Sequence, residues 1–350
     1  MSVYASEDYF QQLLVKAVSA HASDVHFKVG IAPGARVNGD MIFFRTDPLN
    51  VEDTRAIVKH LLKSVDPESK KEHDLAYGVP GVGRFRVNVY RQRGSYGIVL
   101  RVIPLKIPTF EDLGAPSACK YLAEQERGLI LCVGAAGNGK SSTLASMVSH
   151  INHTRATHIV TIEDPIEFLH KDVKSSVSQR EVGVDTDSFA DALRAALRQD
   201  PDVILVGEIR DEITMDIALK AAETGHLVFS TLHTPDVSRT VGRILALAPK
   251  NQAGSTEEMR IRFADCLQGV IAQRLIPRRD GNGVVLSAEV LVATGTARMS
   301  IKRPENNPSL KDIMEKGVHP YGMQTFAMDI ERLVNKGIVD EKMAASMMGF

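Results

Sequence analysis

The stretch GAAGNGKSS, residues 134–142, has the residue types and spacing of a phosphate-binding loop. Gly134, Gly139, Lys140 and Ser141 satisfy the pattern G-x-x-x-x-G-K-[ST]. The glycines let backbone N–H groups turn toward phosphate oxygens, the lysine neutralises the β and γ phosphates, and the serine hydroxyl can ligate Mg²⁺. The apolar LILCV before it and the helix-like TLASMVSHI after it supply the strand-to-helix context, whereas the alternative is a glycine-rich surface turn. We predict that ATP contacts Gly134, Ala135, Ala136, Gly137, Asn138, Gly139, Lys140, Ser141 and Ser142.

Chemically useful side chains follow three further apolar runs. Glu163 and Asp164 come after HIVTI, Glu208 after VILVG and His233 after LVFSTL. If these runs are parallel strands, their carboxyl ends meet at one edge of a sheet, beside the loop. Carboxylates there can orient water and hold a metal, and an imidazole can sense or relay a γ-phosphate. Strand-end caps are the alternative for the two glutamates, and structural histidines are the alternative for His226 and His233.

The position before Glu208 departs from the common Walker B pattern, because Gly207 stands where an aspartate is usual. We therefore expect Mg²⁺ to be held through Ser141, the phosphates and water molecules. Glu208 is expected to act near the metal or on the attacking water.

The elements that must position these residues are predicted from apolar runs, each followed by a helix-like segment. LILCVG, HIVTIED, VILVGE and HLVFSTLH are nearly continuous in apolar residues. Such runs indicate a parallel sheet that is covered on both faces, and therefore an α/β fold. From about residue 255 the pattern becomes mostly helical, with a hairpin-like interruption at RRDGNGVV.

The first hundred residues predict a smaller α+β unit. EDYFQQLLVKAVSA and VEDTRAIVKHLLKSV have helical spacing, whereas DVHFKVG and ARVNGDMIFF alternate as strands do. GRFRVNVYRQRGSYGIVLRVI predicts a hairpin with Phe85, Val87 and Val89 on one face. The proline-rich PLKIPTFEDLGAP, residues 104–116, is predicted to link a domain of residues 1–103 to a domain of residues 117–350.

The composition excludes several classes of protein. The 42 basic and 43 acidic residues give a net charge of -1, so no global field attracts nucleic acid or an anionic membrane. The three cysteines are far apart, which argues against a zinc site or a disulfide framework and fits a reducing compartment. No apolar stretch approaches the roughly 18 residues of a membrane span. We expect a cytoplasmic protein that docks to something at a membrane.

The motifs together resemble those of a known family, the secretion ATPases of the type II and type IV pilus systems, and within it the PilT-like retraction motors. GAAGNGKSS corresponds to the Walker A motif of the family, TIEDPIEF to its acidic box, DPDVILVGEIRD to its Walker B motif and TGHLVFSTLHT to its histidine box. HASDVHFK near the start and GMQTF at residues 322–326 extend the match over almost the whole chain. Four boxes in this order and spacing are a specific signature.

The resemblance implies a RecA-like P-loop ATPase domain, a PAS-like N-terminal domain and particular residue roles. Glu163 would polarise the attacking water, Glu208 would act with Mg²⁺, and His226 and His233 would couple the nucleotide state to conformation. It also implies a homohexamer that binds nucleotide between neighbouring subunits. Arg86 in RFRVN and Arg101 in VLRVI match the arginines that this family sends across the interface to the γ-phosphate. The alternative for both is a solvated basic strand face.

The branch within the family is indicated by what the chain lacks. Extension and type II secretion ATPases carry a tetracysteine zinc module and long N-terminal extensions, so their absence favours retraction of pilin through an inner-membrane platform protein. The protein would then lie peripherally at the inner-membrane base of the pilus. Two departures weaken this reading, because TARMSIKR at residues 296–303 stands where AIRNLI is typical, with Ser300 at an apolar position, and AAGN replaces PTGS in the loop.

Several alternatives therefore remain open. A PilU-like accessory paralogue, a system-specific retraction ATPase and a pilus extension or secretion ATPase are alternatives within the family, and a paralogous retraction ATPase could also be a partner. A RecA-like nucleic-acid translocase should present basic loops with aromatic residues, but the chain has no tryptophan and 5% aromatics, so we expect no nucleic-acid partner. A non-hydrolysing scaffold subunit is opposed by the intact Lys140, Glu163 and Glu208.

Overall fold

The computed structural model describes residues 2–37, 39–63, 65–103, 106–249 and 254–348. The chain forms two compact units, Met1–Lys106 and Ile107–Phe350. Asn38, within the strand-like ARVNGDMIFF, lies outside the described residues. Each unit has its own buried core.

The first unit is an antiparallel sheet that packs against two helices. In the described part of the chain its strand order is β3-β2-β1-β6-β5-β4. Its elements are α1 (Glu7–Ser19), β1 (Ala22–Lys28), β2 (Gly34–Val37), β3 (Asp40–Phe43), α2 (Val51–Leu62), β4 (Glu72–Val79), β5 (Gly83–Gln92) and β6 (Ser95–Ile103). The fold is the PAS-like α+β arrangement that the resemblance implied.

The hairpin of β5 and β6 follows the period of two that its sequence predicts. Phe85, Val87 and Val89 are buried on one face, where Phe85 joins the aromatic core of the unit. Arg93 and Gly94 both have positive φ, as a tight two-residue turn requires. β4, in contrast, was not predicted, because EHDLAYGV begins with three polar residues and its only β-branched residue is Val79.

The predicted linker of residues 104–116 requires a correction. Residues from Ile107 onward belong to the second unit, and a short helix, α3 (Phe110–Leu113), lies within the proline-rich stretch. Thr109 and Asp112 form a capping box at its start, and Phe110 packs against the core of the second unit. The three prolines misled the prediction because they flank this helix and do not interrupt it.

The second unit is built on a mostly parallel sheet with helices on both faces, a RecA-like P-loop fold. In the described residues its strand order is β13-β12-β7-β11-β10-β8-β9. The strands are β7 (Gly128–Val133), β8 (His158–Glu163), β9 (Ser176–Glu181), β10 (Val203–Val206), β11 (Leu227–Leu232), β12 (Leu267–Pro277) and β13 (Val284–Val292). The strands β7, β10 and β11 are buried along their whole length, which explains their continuous apolar runs.

The helices of this unit are α3, then α4 (Ser117–Ala123), α5 (Lys140–Thr154), α6 (Phe189–Ala196), α7 (Glu212–Glu223), α8 (Val237–Leu245), α9 (Ser255–Cys266), α10 (Gly295–Lys302), α11 (Leu310–Lys316), α12 (Phe326–Asn335) and α13 (Glu341–Met348). Among the described residues, seven of these helices, α3, α6, α7, α8, α10, α11 and α12, begin after a polar residue whose side chain caps them. Ser188, Asp211 and Asp236 each accept a backbone N–H bond at the start of α6, α7 and α8. These caps fix where the chain leaves the carboxyl edge of the sheet. Within the ranges that the structure describes, no helix is both long and apolar enough to cross a membrane.

The prediction of a mostly helical region after residue 255 is wrong in part. The predicted hairpin turn exists, but β12 and β13 on either side of it are long strands that complete the sheet. β12 pairs in parallel with β7, the strand that precedes the phosphate-binding loop. Its sequence does not alternate, because residues 269–273 are buried on both faces, and this removed the signal that distinguishes a strand from a helix.

Ser300 occupies a position where an apolar residue was expected. It is buried in α10, and its Oγ donates a hydrogen bond to the carbonyl oxygen of Pro308, at 2.8 Å. Because a buried hydroxyl is costly only when it lacks a partner, this contact makes the departure structurally acceptable. The neighbouring Ile301 and Arg298 keep core and backbone contacts.

Candidate functional site

The carboxyl ends of four adjacent strands bring the candidate residues to one edge of the second sheet. β7 leads into the phosphate-binding loop, β8 ends at Glu163, Glu208 follows β10, and His233 follows β11. The parallel register pairs Leu232 with Val133, and Val206 with Ile162, so these strand ends are level with one another. In open α/β sheets this edge is where ligands bind.

The backbone of the phosphate-binding loop needs its glycines. Gly134, Gly137 and Gly139 have φ angles of 144°, 79° and 77°, which side-chain-bearing residues rarely adopt. A Cβ on Gly134 would also lie 2.5 Å from the carbonyl oxygen of Gln273. Helix α5 begins immediately after Gly139, and no side chain caps it. Its first backbone N–H groups are therefore available to an anion at the positive end of the helix dipole.

Lys140 lies over the loop and is buried. Its Nζ donates hydrogen bonds to the carbonyl oxygens of Gly134 and Ala135, both at 2.9 Å. Burial lowers the pKa of Lys140. A phosphate would add a favourable charge interaction here, since it offers an anion to an ammonium group whose hydrogen bonds go to the neutral carbonyls of Gly134 and Ala135.

Strand β12 supports the loop from the side. The N–H of Leu275 donates to Oδ1 of Asn138 at 3.1 Å, and Nε2 of Gln273 donates to Oγ1 of Thr143 at 2.7 Å. These contacts hold the loop and the first turn of α5 against the sheet. Sequence reasoning missed Gln273, because nothing in its local pattern marks a partner 130 residues away.

The contact of Asn138 leads to a testable prediction. The shorter side chain of Asn138→Ser cannot keep the hydrogen bond to Leu275, so the loop loses part of its preorganisation. We expect the Kd for ADP to rise about three- to tenfold, the equivalent of one hydrogen bond of about 1 kcal/mol. Isothermal titration calorimetry measures this change, with Asn306→Ser at an exposed position as the control. Equal ADP affinities for Asn138→Ser and the unmodified chain would contradict the assignment.

Glu163 is held by donors on two strands. Its Oε1 accepts hydrogen bonds from Oγ1 of Thr161 at 2.7 Å and from Nε2 of Gln179 at 3.0 Å. Burial raises the pKa of Glu163, whereas these two hydrogen bonds and one from the backbone of Glu167 lower it. A carboxylate that is desolvated yet fixed in orientation suits a group that accepts a proton from water. Thr161 and Gln179 were not among the predicted residues.

Glu208 lies beside the guanidinium group of Arg210 and the imidazole of His233. Its side chain is 15% exposed, forms an ion pair with Arg210 and lies with Oε2 3.4 Å from Nε2 of His233. Arg210 also approaches Asp164, at 3.9 Å. Sequence reasoning missed Arg210, although its position two residues after Glu208 was a usable signal. His233 is more than half exposed, so its ring can reach a ligand at this edge.

Ser141 and Glu208 place a hydroxyl and a carboxylate at the carboxyl edge of the sheet, and both are oxygen donors of the kind that Mg²⁺ accepts. In the part of the chain that the structure describes, no group of three or more His, Cys, Asp or Glu residues could hold a metal. Ser141 and Glu208 are the predicted protein ligands. Few protein ligands are characteristic of Mg²⁺, which keeps several of its waters and is shared with the phosphates of the substrate.

His226 lies at the opposite edge of the sheet from His233, because it precedes β11 and His233 follows it. The carbonyl oxygen of His226 accepts the N–H of Gly128, and its Nδ1 lies 2.9 Å from the carbonyl oxygen of Ala221. The six residues of β11 lie between His226 and His233, which places the two about 23 Å apart at about 3.3 Å per residue. His226 therefore cannot contact a nucleotide that is bound at the phosphate-binding loop of the same chain.

Arg86 and Arg101 belong to the first unit, where they lie directly opposite each other on β5 and β6. Arg86 is exposed, and so is most of the side chain of Arg101, whose Nε donates to Oδ1 of Asp24 at 3.1 Å. Like charges at directly opposite positions of antiparallel strands destabilise each other. Among the described residues, Asp24 is the carboxylate that pairs with Arg101, and an additional anion would further offset the charge of the two guanidinium groups.

These features define a P-loop nucleotide-binding protein of the RecA-like class with an additional PAS-like unit. The chain belongs to the family described as Type II/IV secretion system protein, whose family model matches residues 83–314.

Individual relatives resemble the chain over nearly its full length. It is 41% identical to the type IV pilus retraction ATPase PilT of Pseudomonas aeruginosa, over 95% of this chain and 96% of that protein. It is 39% identical to the type IV pilus ATPase PilU of the same organism, over 94% of this chain and 85% of that protein. A crystal structure of the pilus retraction motor PilT with bound ADP has a TM-score of 0.86 at 41% identity, covering 99% of this chain and 96% of that one.

Proposed function

We propose that this chain is an ATPase motor that drives retraction of type IV pili. The observation that carries the proposal is an intact phosphate-binding loop beside Glu163 and Glu208, in a chain that is 41% identical to PilT over nearly its whole length. ADP in the PilT crystal structure supports a nucleotide as the ligand of the equivalent loop.

The residues at the sheet edge divide the chemistry among them. The backbone N–H groups of residues 134–142 and the ammonium of Lys140 bind the phosphates, and Ser141 contributes a hydroxyl to Mg²⁺. Bound Mg²⁺ supplies charge neutralisation for the phosphates. Glu163 accepts a proton from the attacking water, while Glu208 acts near the metal and orients His233. His233 senses the γ-phosphate through its contact with Glu208.

The assembly and the partners are also part of the proposal. The chain works as a homohexamer, in which Arg86 and Arg101 of one subunit reach the γ-phosphate bound to the neighbouring subunit. The two adjacent guanidinium groups on an exposed strand face support this role, because an anion would relieve their repulsion. His226 couples the nucleotide state to conformation from the other end of β11. The ring acts peripherally at the inner membrane on a pilus platform protein.

A second candidate function is that of a PilU-like accessory motor. The identities to PilT and PilU, 41% and 39%, differ little, and both alignments span most of the chain. A paralogous retraction ATPase would then be a partner of this protein in the same cell.

Deletion of the gene, followed by imaging of surface pili, separates these functions. Excess pili without twitching motility is the expected result for a retraction motor. Unchanged pili with reduced retraction force would favour the accessory function, and cells without pili would indicate extension.

Glu163→Gln tests the catalytic part of the proposal. The amide keeps the size of the side chain but cannot accept the proton, so kcat should fall at least about a hundredfold while ATP still binds. Steady-state ATPase assays and a fluorescent ATP analogue measure the two quantities on the assembled protein. Glu331→Gln, at an exposed position of α12, is the control and should retain activity. Full hydrolysis by Glu163→Gln would exclude this residue as the base.

A further inference from the structure

Gln179 lies on β9, the edge strand beside β8, and uses its whole amide group. Nε2 donates to Oε1 of Glu163 at 3.0 Å and to the carbonyl oxygen of Phe168 at 2.9 Å, while Oε1 accepts the N–H of His170 at 2.8 Å. The side chain of Gln179 thus forms hydrogen bonds both to Glu163 and to the loop that follows β8.

These three partners fix the orientation of the amide. Two of them are acceptors and the third is a donor, so a flipped amide would place its oxygen against a carboxylate and a carbonyl, and its NH₂ against an N–H. The amide of glutamine is therefore matched to the site, and a carboxylate of the same length is not. The pairing of β8 with β9 is consistent with this arrangement, because it places Gln179 opposite Thr161, the other residue that donates to Glu163.

We propose that Gln179 is a positioning residue for ATP hydrolysis, which holds the carboxylate of Glu163 in its reactive orientation through Nε2 while its other two hydrogen bonds fix the acidic loop. This inference rests on the proposed role of Glu163 as the base. A carboxylate with two donors on one oxygen has little freedom to rotate, and orientation of the base is a major part of its efficiency.

The hydrogen bond from Nε2 of Gln179 also stabilises the ionised form of Glu163. Its loss should raise the pKa of Glu163 further, because burial already favours the protonated form and one opposing contact disappears. The base must be ionised to accept a proton, so the acid limb of the kcat profile should move to higher pH. Other charged groups near Glu163 include its chain neighbour Asp164, Glu167, its register partner Glu181, and Glu208 after the adjacent strand β10, and none of them changes in the variants below.

The test compares Gln179→Met and Gln179→Glu with the unmodified full-length chain. Methionine keeps the length without hydrogen bonds, and we expect kcat to fall about tenfold with KM and the Kd for ADP within about twofold. The acid limb of the pH profile of kcat should move to higher pH by about half a unit or more. Glutamate should reduce kcat further, because its carboxylate faces Glu163 and the carbonyl of Phe168. Ser178→Ala is the matched control, since Ser178 immediately precedes Gln179 on β9 and the change removes its hydrogen bond to His158.

The outcomes separate a positioning role from a structural one. An unchanged kcat and pH profile in Gln179→Met would overturn the inference. So would a lower kcat with an unshifted pH profile and a lower melting temperature, matched by Ser178→Ala, because that pattern reports damage to β9 alone. If Glu163→Gln is inactive while Gln179→Met is normal, the proposed function stands and only this inference fails. If Glu163→Gln hydrolyses ATP normally, the role of Glu163 and the inference fail together.

Discussion

Lys140→Ala is expected to reduce ATP hydrolysis by at least about a thousandfold, because the ammonium group is the cation of the loop that contacts the β and γ phosphates. Its present partners, the carbonyls of Gly134 and Ala135, are neutral, so no other group of the loop can replace the charge. Steady-state assays at saturating ATP should show the loss in kcat, and calorimetry should show weaker nucleotide binding. Cells that carry only this variant should have the pilus phenotype of the deletion.

The control for this prediction is Lys120→Ala, which removes an exposed lysine from α4 of the same unit. It should hydrolyse ATP at the normal rate. Both variants should have circular dichroism spectra like that of the unmodified chain, since Lys140 contributes little apolar packing. Normal pilus retraction by a Lys140→Ala protein would reject hydrolysis at this loop as the source of the motion.

The parts of the fold and site that sequence predicts are those that local rules determine. The loop has fixed residue spacing, and Glu163, Glu208 and His233 follow apolar runs whose carboxyl ends must share an edge once the strands are parallel. The alternation in β5 determines the buried face of the first unit in the same way. His226 is instructive, because only the length of β11 separates it from His233, and strand direction alone places the two at opposite edges.

The residues that support the site could not be predicted, because their partners are distant in sequence. Gln179 contacts Glu163 from a different strand, and Gln273 contacts Thr143 from a strand that the sequence pattern did not reveal. A glutamine at either position has no local signature, since the role of its side chain depends on which hydrogen-bond partners the fold brings near it. β12 was missed for a related reason, because burial on both faces removes the alternation.

The support of the site also explains how the loop tolerates AAGN in place of PTGS. The three glycines with positive φ set the backbone, and Asn138 adds a hydrogen bond to β12 through the extra length of its side chain. The chemically demanding positions are unchanged. The substitution therefore alters how the loop is held and leaves the residues predicted to contact phosphate unchanged.

Arg86→Ala is expected to lower kcat about a thousandfold while the chain stays folded, because a trans arginine stabilises charge that develops in the transition state. The side chain is exposed and faces Arg101, so its removal also relieves a like-charge contact. Arg55→Ala, on an exposed position of α2, is the control and should retain the normal rate.

Mixed assemblies give the sharpest test of the arginine, because Arg86→Ala and Lys140→Ala damage opposite sides of the proposed interface. A Lys140→Ala subunit still supplies Arg86 to its neighbour, and an Arg86→Ala subunit still supplies an intact loop. Random mixing in equal amounts should restore hydrolysis to about a quarter of the normal rate, since about one interface in four combines the two intact sides of a cyclic ring. No recovery on mixing, or full hydrolysis by a monomer, would exclude a shared site, since a site within one chain needs no neighbour to supply the cation.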